Sequence, residues 1–226
     1  MYLSGVMAQP GGCINADAIS VAIDGHFILR NLTFRVRCGE RVIVAGPNGA
    51  GKTTLIKAIL GLHPLSAGIL TVLGAAVGTR DWSRRRREVG YVNQEAVSVD
   101  FPYSGREVVG IGACALSLPR REKERRVQEA MNAIGCAHLQ RRMYARLSGG
   151  EKQKLSIARC LCQGPSILLL DEPTSSLDPA SRREVLDILI GLNESRALTV
   201  VLVSHDSEVL AERAWRIERM EAGSFA

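Results

Sequence analysis

The sequence predicts an α/β fold built on a mostly parallel sheet, with an antiparallel β layer at its N-terminal end and a helical insertion in its middle. Three observations predict it. Arg41-Val42-Ile43-Val44-Ala45, Ser166-Ile167-Leu168-Leu169-Leu170 and Leu198-Thr199-Val200-Val201-Leu202-Val203 are short, nearly continuous apolar runs, the pattern of strands covered on both faces. Between residues 18 and 41 the pattern instead alternates, as in a sheet with one buried face. The stretch from 105 to 145 is charged and carries helical signals.

In order along the chain, residues 1–15 show no periodicity and read as a loose leader, with one domain over 16–226. Ala18-Ile19-Ser20-Val21-Ala22-Ile23 and Leu32-Thr33-Phe34-Arg35-Val36, separated by Asp24-Gly25, read as the antiparallel layer. The strand 41–45 runs into Gly46-Pro47-Asn48-Gly49-Ala50-Gly51-Lys52-Thr53 and then a helix from Thr54 to Leu60, ended by Gly61 and Pro64. Gly68 to Val72, with Gly74, suggests a short hairpin, and Val89 to Val92 a strand that delivers Asn93 and Gln94 to a loop. The helical insertion spans about 97–160, with capping boxes at Ser104/Glu107 and Ser148/Glu151. Trp215 to Phe225 leaves room for a closing strand pair.

Composition narrows the function classes. No apolar run approaches the roughly 20 residues that span a bilayer, and Met1 to Gly12 lacks the basic-then-apolar order of a signal peptide, so the chain is expected at the cytoplasmic side. The net charge of +6 is concentrated in Arg84–Arg87 and Arg120–Arg126, while aromatic residues make up only 4% and leave little for base stacking. Specific nucleic-acid binding is not expected; a solvated face or an acidic or membrane-bound partner is. Six cysteines (Cys13, Cys38, Cys114, Cys136, Cys160, Cys162) lack zinc-site spacing and read as free, buried thiols.

The stretch 46–53 carries chemistry. Its glycines let successive N–H groups line one concavity at the positive end of the following helix, a cradle for a polyphosphate. Lys52 is placed to reach the β and γ phosphates, and the Thr53 hydroxyl to ligate a bridging Mg²⁺. Asp171 and Glu172 stand at the C-terminal end of a buried strand, where open α/β sheets bind ligands. There Asp171 can hold Mg²⁺ and Glu172 can address a water. His205 ends the last core strand at the same edge, and Ser148-Gly149-Gly150 opens a helix with bare backbone, suited to a second phosphate contact.

The stretch 46–53 resembles the Walker A motif of P-loop NTPases. Together with Gln94, LSGGE at 147, LLLDEP at 168, SSLD at 175 and His205, it is similar to the full motif set of an ATP-binding cassette (ABC) ATPase, from about Asp17 to Phe225. The resemblance implies a P-loop NTPase core that binds ATP and Mg²⁺, and a head-to-tail homodimer or paired ABC subunit with two ATP molecules between the protomers. Each ATP would be held by residues 46–54 of one subunit and by Ser148, Gly149 and Gly150 of the other. It further implies Thr53, Gln94 and Asp171 around Mg²⁺, Glu172 polarising the attacking water, His205 on the γ-phosphate and Asp178 communicating across the dimer. Where the family stacks adenine on an aromatic ring, this chain has Ile23, with Phe27 as an alternative cover.

With no membrane span, such an ATPase would drive separate integral permease subunits, supplied by an extracytoplasmic solute-binding protein. Val99 to Val109, with Asp100-Phe101-Pro102 and Arg106-Glu107-Val108-Val109, is similar to the corresponding segment of metal-ion importers, although Tyr103-Ser104-Gly105 departs from it. A manganese- or zinc-type metal importer is the first expectation and a ferric-chelate or haem importer the second. A cassette ATPase acting on a cytosolic assembly is the third.

Overall fold

The computed structural model describes residues 12–93, 102–210 and 214–225. Two sheets organise it. The N-terminal sheet is antiparallel, in the order β2-β1-β4-β5, from β1 (Ile14–Ile23), β2 (His26–Val36), β4 (Ala67–Val72) and β5 (Ala75–Ala76). The central sheet runs β10-β9-β3-β8-β7-β6, from β3 (Arg41–Ala45), β6 (Val89–Val92), β7 (Ile167–Asp171), β8 (Thr199–Ser204), β9 (Arg216–Glu221) and β10 (Ser224–Phe225). Its five longer strands are parallel, and only β10 runs against its neighbour. The helices are α1 (Lys52–Ile59), α2 (Arg80–Arg85), α3 (Gly105–Cys114), α4 (Arg120–Ala133), α5 (Gly149–Leu161), α6 (Pro179–Arg196) and α7 (Ser207–Leu210).

The unbroken apolar runs are explained by what covers them. Successive residues of β3, β7 and β8 feed opposite cores. Ile43, Ala45, Leu168, Leu170, Val200 and Leu202 pack with residues of α3 to α6 on one face. Val42, Val44, Ile167, Leu169, Val201 and Val203 pack with α1 and the antiparallel sheet on the other. Since each buried aliphatic side chain is worth about 1.5–3 kcal/mol, a polar residue at any of these positions would cost much of the sheet's stability.

Both capping boxes form: Ser104 caps α3 with Glu107, and Ser148 caps α5 with Glu151. α4 presents its arginines outward, and Arg120 pairs with Glu124 at 2.8 Å and Arg125 with Glu122 at 2.6 Å. Such exposed pairs contribute little each. Arg84–Arg87 are exposed as well. Among the described residues, no helix is long and apolar enough to cross a membrane.

Three expectations are corrected. β1 begins at Ile14, four residues before the expected stretch from Ala18, and so reaches into the expected leader; residues 1–11 lie outside the described residues. β2 begins at His26 instead of Leu32. Cys13 and Cys38 are not free thiols but form a disulfide, with Cα atoms 4.8 Å apart. The antiparallel pairing of Ile14 with Val36 brings their flanking residues together, which spacing in the sequence does not show. Cys136, Cys160 and Cys162 are free and buried, whereas Cys114 is free but exposed.

Candidate functional site

Sheet register assembles the site. β3 pairs with β8 so that Ala45 faces Ser204, and β7 with β8 so that Asp171 faces Val203. The residues that follow these strand ends, Gly46, Glu172 and His205, therefore leave the sheet side by side at one rim. The loop from Gly46 to Gly51 can form because of two close approaches. A Cβ on Gly46 would stand 2.3 Å from the Met220 carbonyl oxygen, and Gly51 caps α1 in the left-handed region (φ 102°), where a Cβ would stand 2.9 Å from Leu29 Cδ2. The Gly223 amide donates to the Ala50 carbonyl at 3.0 Å, tying the loop to the turn between β9 and β10.

Lys52 starts α1 yet is only 4% exposed. Its ammonium donates to the carbonyl oxygens of Gly46 (2.7 Å) and Pro47 (2.8 Å) and lies 3.9 Å from Glu172 Oε1. Glu172 Oε1 in turn meets His205 Nδ1 at 2.8 Å. A carboxylate can only accept, so the His205 proton sits on Nδ1 and the other ring nitrogen is left for a further contact. Glu172 holds a left-handed backbone (φ 47°), a conformation costing a non-glycine residue about 1–3 kcal/mol. Its amide donates to the Val203 carbonyl at 3.1 Å, which helps to hold that conformation.

Asp171 is buried, and the Thr53 hydroxyl donates to its Oδ1 at 3.1 Å. Burial pushes its carboxyl above the usual carboxylate range and the neighbouring Glu172 charge adds to this, against the Thr53 bond and the Lys52 charge. Beside it, burial and then Asp171 push the Tyr91 phenol up to about 12. A buried carboxylate paired with a hydroxyl is a hard oxygen donor set that suits Mg²⁺ arriving with nucleotide phosphates. The described residues contain no group of three or more His, Cys, Asp or Glu able to hold a metal on their own.

That shift has a sign that can be tested. The folded state binds the Asp171 proton more tightly than the unfolded chain does. The residue's adverse contribution is therefore absent below the ordinary carboxylate range, grows as pH rises through the folded value, and persists at neutral pH. Asp171→Asn, which keeps an acceptor for Thr53, is expected to raise the melting temperature at pH 7. The gain should shrink as pH falls into the carboxylate range. A lower melting temperature at pH 7 would mean that the Thr53 and Lys52 contacts outweigh the burial.

A second group stands apart from these contacts. Ser148 and Gly149 are exposed at the start of α5, and the Glu151 amide donates to Ser148 Oγ at 3.3 Å. The bond from the Ser148 amide leads in holding the Glu151 carboxyl below its ordinary range. Leu177 lies over Gly149, and Ser181 Oγ would stand 3.0 Å from a Cβ on Gly150. Asp178 caps α6, accepting from the amides of Ala180 (3.1 Å) and Ser181 (3.0 Å); the Ser181 side chain first, and then these amides, hold its carboxyl below the ordinary range. Ile23 is half-buried and packs on the apolar layer, whereas Phe27 is 52% exposed. Gln94 lies outside the described residues.

Sequence reasoning missed Tyr91, Arg182 and Asp206, all of which border the site, and gave Ser175 no role beyond its place in SSLD. Ser175 and Asp206, with Glu172, Ser204 and His205, line a cavity of about 260 Å³. The position of Asp206 directly after His205, and of Arg182 one helical turn after Asp178, was the available signal.

Comparison with known proteins agrees with this geometry. The model of the family described as ABC transporter matches residues 29–175. A "Putative ABC transporter ATP-binding protein" of Streptomyces avermitilis is 44% identical over 183 residues, covering 81% of this chain and 68% of that protein. The manganese transport system ATP-binding protein MntB of Bacillus subtilis is 34% identical, covering 85% and 77%. Other relatives, from 33% to 38% identical, are named for hemin import, methionine import and energy-coupling factor transport. Among solved structures, cbiO1 of Clostridium perfringens, described as part of the ABC transporter complex cbiONQ, superposes with a TM-score of 0.88 at 27% identity, covering 96% of this chain and 87% of that one. The chain belongs to the ABC transporter family, as an ATP-binding cassette ATPase whose hydrolysis is coupled to transport.

Proposed function

We propose that this chain powers import of a metal ion of the manganese or zinc type, from the cytoplasmic face of the membrane, through separate permease subunits served by a solute-binding protein. The observation that carries the reading is the Asp100-Phe101-Pro102 to Val109 segment. Its first part lies outside the described residues, and its second is the capped start of α3, where Tyr103 and Ile111 leave apolar surface exposed to a partner. The relative named for manganese transport supports it. A relative named for hemin import in Vibrio cholerae, 37% identical over 92% of this chain, favours a haem or ferric-chelate cargo as the second reading.

Within the site, Lys52 and the amides from Gly46 to Thr54 hold the phosphates. Thr53, Gln94 and Asp171 would hold Mg²⁺, which would supply charge neutralisation at the nucleotide phosphates. Glu172 takes the proton of the attacking water, His205 contacts the γ-phosphate and Ile23 covers the base. Ser148, Gly149 and Gly150 of a second cassette close the site from the far side. Asp178 acts in that contact through the turn it anchors, since its carboxylate already serves the first amides of α6.

Uptake by cells lacking this chain tests the cargo. Saturable manganese or zinc uptake should disappear, return with the parental chain and stay absent with Glu172→Gln. Intact metal uptake with lost haem uptake would overturn the first reading in favour of the second. A purified partner without membrane spans would overturn both.

A further inference from the structure

We propose that Arg182 and Asp206 are positioning residues for hydrolysis: their ion pair closes a ring of contacts that locks the His205 loop to the turn before α6. The ring can be followed atom by atom. His205 Nδ1 meets Glu172 Oε1 at 2.8 Å, and the Glu172 carbonyl accepts from Ser175 Oγ at 3.1 Å and from the Ser175 amide at 3.3 Å. Ser175 leads through Leu177 to Asp178. The Leu177 carbonyl accepts from Arg182 Nη2 at 3.4 Å, and the Arg182 amide donates to the Asp178 carbonyl at 2.9 Å. Arg182 Nη1 then pairs with Asp206 Oδ2 at 3.0 Å, one residue beyond His205, where the Asp206 amide donates to Ser204 Oγ at 3.1 Å.

The pair is suited to this work. Its side chains are 16% and 20% exposed, so it is less screened than the surface pairs of α4. The forked guanidinium reaches the turn and the loop together, which a lysine ammonium cannot do in the same geometry. His205 needs such an anchor, because its side chain is 46% exposed. The same turn lies against Gly149 and Gly150, so the ring also joins the chain's own phosphate site to the surface it offers a second cassette. Connected hydrogen bonds and ion pairs of this kind can carry energetic coupling between two sites.

The proposal rests on the role given above to Glu172 and His205, and the test separates the two. Phosphate release by the full chain is measured for Asp206→Asn, Arg182→Gln, the double variant and His205→Ala. Each single charge removal is expected to lower kcat about five- to tenfold with the KM for ATP within about twofold, and the double variant to fall no further than the worse single one. Asp206→Asn with kcat within twofold of parental, a KM rising in step with the loss, or losses that multiply in the double variant would each overturn it. His205→Ala at parental turnover would overturn the role of His205 and this proposal together. His205→Ala impaired beside unaffected pair variants would overturn this proposal alone. Should Arg182→Gln fail to fold, Asp206→Glu decides: restoring half or more of the turnover lost in Asp206→Asn supports the pair, and restoring none overturns it.

Discussion

Glu172→Gln is expected to lower ATP turnover about a hundredfold or more while leaving ATP bound, because it removes the proposed general base and little else. The amide has the shape of the carboxylate and keeps an oxygen that can accept from His205 Nδ1, so the 2.8 Å contact survives. It also removes a negative charge beside Asp171 and 3.9 Å from the Lys52 ammonium, which favours an incoming polyphosphate. Turnover and affinity should therefore move apart. Phosphate release and nucleotide binding on the same preparation check it, and parental turnover would remove Glu172 from the proposed chemistry.

Lys52→Met is expected to act on the other quantity, weakening ATP binding about 10- to 100-fold, the equivalent of a charge-assisted bond worth about 1.5–3 kcal/mol. The ammonium is held under the loop by the Gly46 and Pro47 carbonyls. Anionic phosphate oxygens are stronger acceptors than these, so the lysine is expected to exchange partners when nucleotide enters. Methionine fills a similar volume in a position only 4% exposed, which limits the damage to the fold. Titration with a fluorescent ATP analogue reads the loss, and an unchanged dissociation constant would contradict the role of Lys52.

The parts of this molecule legible in its sequence are those fixed by local chemistry. Four apolar residues before Asp171 mark a strand buried on both sides, and Ile167, Leu168, Leu169 and Leu170 are all fully buried. Ser148 and Glu151 three residues apart mark the start of α5, and both reciprocal bonds form. What stayed hidden depends on contacts between distant segments. Ile14 to Asp17 alternate buried and outward, but Ala18, at positive φ, shifts the pattern before Ile19 and so separates them from the rest of β1, and Asn31, at positive φ, interrupts the alternation of β2. The Cys13–Cys38 bridge follows from strand register, not spacing. Arg182 and Asp206 meet only because α6 and the end of β8 are packed together, and neither residue type is unusual in its own segment. The left-handed backbone of Glu172 is likewise held by the hydrogen bond from its amide to the carbonyl of Val203, 31 residues further on.

All of the proposed chemistry requires that one chain's phosphate loop be completed by the Ser148 end of another. The solution mass of the Glu172→Gln protein, measured with and without ATP and Mg²⁺, tests this most directly. A mass that doubles with nucleotide, and no longer doubles when Ser148→Arg is added, is the predicted result. A mass that stays at one chain while ATP is demonstrably bound would contradict it.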